Sequence, residues 1–445
     1  MISARVGLAL LLGVTALPAA AQPGPAARPA PRVVVVGDDP EPAPAARGPV
    51  RQAGDTPAPP AAGPAAAPAT GSGPGAFSEA LAGACPCNDE ACGPHLWASA
   101  EYLCWKVRKG PVPSPLVTTG DPTDPVAGAL GHPSTRVLFG GGDLDYGRAP
   151  GFRLTLGGWF GTEPVGGEVS GFWLDSRNVN FGTRSDAAGS PPVYLPVFNL
   201  ATGREGSVIV SDPVFGAAGN LLIRSQSRVW GTEANALAAV SRGPVEVTLL
   251  AGVRYADLKE SLSLQTATTD LIVFTEDNQF DSFATANRFY GGQVGARATA
   301  SWGRWFGGLS AKVAVGATHS QVEISGASFQ TGDETVPHGV FPGGIFTQPS
   351  NIGRQSDWDF STVSEVGLQA GCQVCGCLRV FVGYDVLYWT GVARPGDQMD
   401  RILNPSQSPI FFGTGTLSGP AHPAPTQNRT DFCAQGFSAG LEFRY

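Results

Sequence analysis

The sequence predicts an all-β fold: a closed antiparallel transmembrane β-barrel of about ten strands (roughly eight to fourteen), behind a disordered N-terminal tail. Three observations predict it. The chain opens with an export signal, period-2 alternation of apolar and polar residues recurs from His95 to the C-terminus, and the connections alternate between long and short. An outer-membrane barrel shows that alternation because its turns are tight on one side of the membrane and its loops are long on the other.

Residues 1–21 read as a signal peptide. Arg5 supplies the positive charge, Val6 to Ala16 the apolar stretch, and Ala19-Ala20-Ala21 a cleavage site between Ala21 and Gln22. Residues 22–80 are a Pro/Ala-rich tail expected in the periplasm, which carries too little apolar surface to offset its ordering entropy. A Cys-containing segment follows at 81–94, and the barrel takes 95–445. Its strands are expected near Leu96–Val107, Gly151–Phe160, Gly166–Val179, Arg224–Val240, Pro244–Leu264, Asp281–Ala300, Phe306–Ser325, Asp357–Cys372, Leu378–Thr390 and Asp431–Tyr445. Long loops are expected near 108–150, 180–223, 265–280, 326–356 and 391–430. Twelve strands is the alternative count.

The strands carry lipid-facing chemistry. Val245, Val247, Leu249, Ala251, Val253 and Tyr255 share one face, and Glu246, Thr248 and Arg254 the other. The last strand sets Phe437, Ala439, Leu441, Phe443 and Tyr445 against Ser438, Gly440, Glu442 and Arg444. Tyr102, Trp159, Trp173, Trp230, Tyr255, Trp302, Trp305, Tyr388 and Trp389 are expected in interfacial girdles. Composition agrees: 60 Gly and 39 Pro disfavour helical bundles, and a net charge of -8 excludes nucleic acid as a partner.

Several strings resemble the putative β-barrel porin family seven. They include Trp97-Ala98-Ser99-Ala100-Glu101-Tyr102-Leu103, Asn287-Arg288-Phe289-Tyr290-Gly291-Gly292-Gln293 and Phe341-Pro342-Gly343-Gly344. Pro349-Ser350-Asn351-Ile352-Gly353-Arg354, Ala393-Arg394-Pro395-Gly396-Asp397-Gln398 and Gly440-Leu441-Glu442-Phe443-Arg444-Tyr445 follow in order. The resemblance implies a barrel in the outer membrane. Cys104 and Cys433 stand where that family has apolar or aromatic residues.

Outward apolar parity leaves a charged lumen, lined by Glu101, Glu168, Glu233, Glu365, Asp385 and Glu442 against Arg153, Arg254, Arg297, Lys312 and Arg444. Buried charges persist when paired, so a narrow, ion-pair-laced interior is expected rather than a wide diffusion pore. Two cysteine clusters, Cys85, Cys87 and Cys92 and then Cys372, Cys375 and Cys377, fall at the short-turn end. Disulfides between the clusters, unpaired thiols and a metal thiolate site all fit, and Cys104 with Cys433 is a candidate seam disulfide.

Function is expected to be a porin-like channel for small solutes or a structural barrel with a narrow charged lumen. A surface adhesin using the long loops is the alternative, and an outer-membrane hydrolase a remote one. No enzyme motif, metal-ligand spacing or cofactor signature appears in the sequence. Outer-membrane lipid and the barrel assembly machinery are the expected partners.

Overall fold

The computed structural model describes residues 96–161, 164–241, 243–331 and 338–445. The expected signal peptide with its expected Ala21–Gln22 cleavage site, the expected tail, and Cys85, Cys87 and Cys92 lie outside the described residues. In chain order the strands are β1 (Leu96–Val107), β2 (Gly110–Thr119), β3 (Arg136–Leu144), β4 (Arg148–Trp159), β5 (Val165–Leu174) and β6 (Arg177–Arg184). There follow β7 (Val193–Asn199), β8 (Arg204–Ser211), β9 (Ala217–Ser241), β10 (Val245–Asp270), β11 (Glu276–Trp302) and β12 (Trp305–Gln330). The chain ends with β13 (Gly339–Pro342), β14 (Gly353–Cys375), β15 (Leu378–Ala393), β16 (Ile402–Leu403) and β17 (Arg429–Arg444).

Ten strands form an antiparallel ring in the order β1-β4-β5-β9-β10-β11-β12-β14-β15-β17, and β17 closes on β1. Closure pairs every backbone edge, which a bilayer demands because it offers no water to unpaired amides. The short turns lie at one end, together with the chain's last residue: Leu96 and Tyr445 exchange two backbone hydrogen bonds of 2.8 Å there. At that end β11 turns into β12 through Gly303 in the left-handed region, φ 64°, and the indoles of Trp302 and Trp305 face outward.

Alternation sorts the residues as lipid requires. Leu154, Leu156, Val169, Val253, Val294, Phe360, Val382, Phe437 and Phe443 are all exposed on the outer wall. Their inward neighbours are polar or packed. An aromatic row circles the wall from Trp173 on β5 through Trp230, Tyr255 and Tyr290 to Trp358 on β14, with successive ring centroids 5.1 to 6.4 Å apart. Between Tyr290 and Trp302, the upper and lower aromatics of β11, the strand climbs twelve residues, about 40 Å of strand or roughly 30 Å of height at barrel tilt. That matches the apolar band of a bilayer.

The strands then continue far above the band. Here the sequence expectation needs correcting: the region 265–280 is not a long loop, because β10 runs to Asp270 and β11 begins at Glu276. Inward Leu262, Leu264 and Phe283 hold this extension together by packing on a second sheet. That sheet, ordered β16-β7-β2-β3 with β8 on β7, is made from three connections expected to be irregular. Its Val112, Leu116, Leu195, Val197, Val208 and Val210 share one buried core with Leu221, Ile223, Val322 and Ile324 of the upper wall. The cap therefore sits in the upper end of the barrel as a stopper.

Two further expectations change. Trp159 and Trp389 are not girdle residues. Trp159 packs at a tilt against inward-facing Trp97, ring centroids 5.8 Å apart, and Trp389 is completely buried inside the ring. Successive residues on a strand face opposite sides, so Tyr388 and Trp389 cannot both meet lipid.

Candidate functional site

Inside the ring the side chains form levels. Nearest the short-turn end is a cavity of about 120 Å³, bordered by Trp97, Arg297, Glu442 and Arg444 and roofed by Glu101, Arg153, Lys312 and Glu365. Ten of the eleven expected lumen residues border this cavity; the eleventh, Arg254, lies immediately above it, beside Arg153, Glu233, Lys312 and Glu365. In the floor of the cavity Arg297 donates to both oxygens of Glu168, at 3.0 and 2.8 Å, and Glu442 accepts from Arg444 at 2.5 Å. Arg379 also turns inward here, 3.7 Å from Glu442. It escaped the sequence reading although its parity is that of Asp385, six positions on. With Arg379 counted, six carboxylates face six cations.

Mid-ring charges pair both along the wall, between adjacent strands, and across the lumen. Arg153 on β4 meets Glu365 on β14 at 3.0 Å and Asp385 on β15 at 3.2 Å, with Glu101 at 3.6 Å. From the far side Arg254 of β10 also contacts Glu365, and it meets Glu233 at 3.6 Å. Lys312 sits 2.7 Å from Glu233 and 3.5 Å from Glu365. Gln293 ties in the remaining valences, accepting from Arg254 and donating to Glu233 and Asn235. Glu365 thus holds three cations and is only 4 % exposed. Bidentate and multiply bonded pairs of this kind are the form in which charges survive burial.

An apolar layer covers the ionic one. Leu103, Trp105, Phe289, Trp389 and Phe432, from β1, β11, β15 and β17, have no solvent exposure at all. Trp389 donates its indole N–H to Thr318 Oγ1 across the lumen at 3.0 Å and meets Phe289 edge-on at 6.2 Å. Arg153 stacks under Trp105, 5.3 Å from the ring, and so joins the two layers.

Latches then fix the stopper. Arg394, just past β15, clamps Glu260 of β10 with two bonds of 2.7 Å, and donates to the Lys109 carbonyl at 2.9 Å. Asn287 exchanges two 2.8 Å bonds with the Ala393 backbone. Asp281, nine residues above the belt aromatic Tyr290, accepts from the amides of Ile345, Phe346 and Thr347 and from the Thr347 hydroxyl. None of these latches was expected from the sequence, since their partners lie in connections read as loops.

The seam cysteines are apart. Cys104 pairs in register with Phe437, four residues from Cys433, which adds about 13 Å of strand to the gap and rules out the seam disulfide. At the β14–β15 turn the sulfurs of Cys375 and Cys377 stand 3.7 Å apart.

The family model described as Putative beta barrel porin-7 matches residues 97–445. The chain belongs to that family. It is an outer-membrane β-barrel, and the ten-strand ring with its inward charges is this member's version of the fold. No curated protein matches the chain. Among solved structures, the outer membrane protease OmpT of Escherichia coli is similar at 10% identity, covering 79% of this chain and 97% of that one, with a TM-score of 0.39. A Pseudomonas aeruginosa FadL homologue is similar at 8% identity, covering 79% and 90%, with a TM-score of 0.20.

Proposed function

We propose that this porin-7 barrel is a closed structural barrel that holds a rigid cap at the cell surface, with its short turns in the periplasm, and that it does not conduct solutes at rest. One observation carries this reading: ionic layer, apolar layer and stopper follow one another inside a single ring, each made of buried side chains contributed from opposite walls. A permeating solute would have to displace Trp389 and Phe289 and then separate Arg254 from Glu365. Breaking a buried pair of that sort costs about 3–5 kcal/mol. The long connections, folded into a sheet with its own core, suit surface presentation better than gating, since loops on a rigid scaffold are where recognition residues gather. No catalytic step is part of this proposal.

Planar-bilayer recording tests it. The wild-type chain is expected to give no nanosiemens-scale steps, and Trp389→Ala combined with Arg254→Ser is expected to give none either, because the stopper still fills the ring above them. Nanosiemens steps from the wild type would establish the solute-channel reading instead, which the family's name and the cavity below the ionic layer favour. Protease treatment of intact cells tests the orientation, with cleavage expected in the exposed cap loop 414–419 and protection of the turn at Gly303.

A further inference from the structure

The outer wall carries a feature that a lipid-facing surface does not require. Directly above the aromatic row stand three cations on adjacent strands, all pointing outward. Arg228 of β9 is one outward step above Trp230, Arg288 of β11 one step above Tyr290, and Lys259 of β10 two steps above Tyr255. An outward step is about 7 Å along the strand, so the three charges sit at headgroup height. Register holds them together, because Arg228 pairs with Lys259 and Arg288 with Asp257.

Between them lies a groove of about 450 Å³, floored by the small residues Ser261, Ala284 and Ala286 and edged by Gln321 and Glu323. The cations are not used up by the protein. Asp257 lies beneath them at 3 % side-chain exposure, 3.6 Å from the Arg288 Nε and 3.9 Å from the Lys259 ammonium. Both distances exceed the 2.7–2.9 Å or so of a charge-assisted hydrogen bond. Lys259 keeps 43 % of its side chain exposed and Arg288 30 %. Arg228 is braced against the Trp173 ring at 5.6 Å, a contact that orients its guanidinium without occupying its donors. Of the two carboxylates in its lining, Glu260 is already neutralised by Arg394 and only Glu323 stands at the rim, so the groove has an excess of positive charge.

We propose that Arg228, Lys259 and Arg288 bind the phosphate-bearing headgroup of an anionic lipid in the leaflet on the cap side. Planar guanidinium forks and an ammonium match phosphate oxygens, and the small-residue floor leaves room for the rest of the headgroup. Exposed Val253 and Val294, below the aromatic row on the same strands, receive the acyl chains. The inference is independent of conduction and holds whichever side of the membrane the cap faces.

Native mass spectrometry of the detergent-purified full chain tests it by titration with phosphatidic acid, with phosphatidylcholine of the same chains, and with inorganic phosphate. Phosphatidic acid is expected to bind about tenfold tighter than phosphatidylcholine, the loss expected for one strong ionic contact. The triple variant R228Q/K259Q/R288Q is expected to abolish that preference, and E323Q to keep it. Heat-modifiable gel mobility reports whether the triple variant folds, and the single variants R228Q and R288Q give the same readout if it does not. Equal binding of the two lipids by the wild type, or an unchanged preference in the variants, overturns the proposal. Displacement of phosphatidic acid by equimolar inorganic phosphate also overturns it, in favour of a free-phosphate site.

Discussion

Glu365 is the residue on which the lumen's electrostatics turn, because three cations converge on one carboxylate that water hardly reaches. Neutralising it leaves Arg153, Arg254 and Lys312 crowded together with too few counter-charges. Glu365→Gln is expected to cost about 3–5 kcal/mol of stability, measured by urea unfolding of vesicle-embedded protein. Pairing it with Arg254→Gln removes one of the stranded cations. The double variant is therefore expected to lose at least about 1 kcal/mol less than the sum of the singles. Additive losses would mean that the layer is a set of independent contacts. Most of these lumen residues were legible in the sequence, since parity alone turns a charge inward once the apolar face is assigned. What parity does not supply is the partner: nothing in the local sequence tells Arg254 that it will meet Glu365, three strands away round the ring.

At the scale of elements, the upper extension of the barrel and the stopper depend on one another. Strands such as Gly110-Pro111-Val112-Pro113-Ser114-Pro115 look like turn material, because proline removes ladder donors and belongs on sheet edges. They become strands only when Leu116 and Val117 are buried against the upper wall. The sequence reading accordingly found the ring and missed the second sheet. The clearest latch between them is expected to respond to pH. Burial pushes the Asp281 carboxyl up to about 6 against the pull of its four hydrogen-bond donors, and burial beside Glu260 likewise pushes Asp397, in the cap, up to about 6. An acid whose folded pKa is raised binds its proton more readily when folded. Its burial therefore costs stability above pH 6, and that cost disappears as the pH falls from about 6 toward 4. Amides 345–347 are expected to gain hydrogen-exchange protection, after correction for intrinsic rates, between pH 7 and pH 5. Asp281→Asn is expected to flatten most of that slope, and a slope retained in the variant would remove Asp281 as its source.

For the whole molecule, closure brings distant segments of the chain together at the short-turn end. Arg444 donates its amide to the Cys377 carbonyl at 2.9 Å, and the Leu96 amide bonds the Tyr445 carbonyl at 2.8 Å. The β14–β15 turn is thus two strand spacings, about 10 Å, from the start of β1. The last cysteine before β1, Cys92, is only four residues from Leu96, a span of at most about 14 Å of chain. An exported protein assembles where disulfides persist. A bond from Cys375 or Cys377 to one of Cys85, Cys87 and Cys92 would tie the segment ahead of the barrel to the ring's own rim, closing a loop of nearly three hundred residues. Loops of that size give the largest entropic stabilisation, about 5 kcal/mol in the chain-entropy description. Mass mapping of non-reduced peptides is expected to recover such a cross-linked pair, and reduction is expected to lower the urea midpoint without loss of heat-modifiable mobility. Recovery of all five thiols free would leave the segment joined to the barrel only through the backbone at Leu96. The rim would then owe its order to the β1–β17 seam alone, and reduction would leave the midpoint where it was.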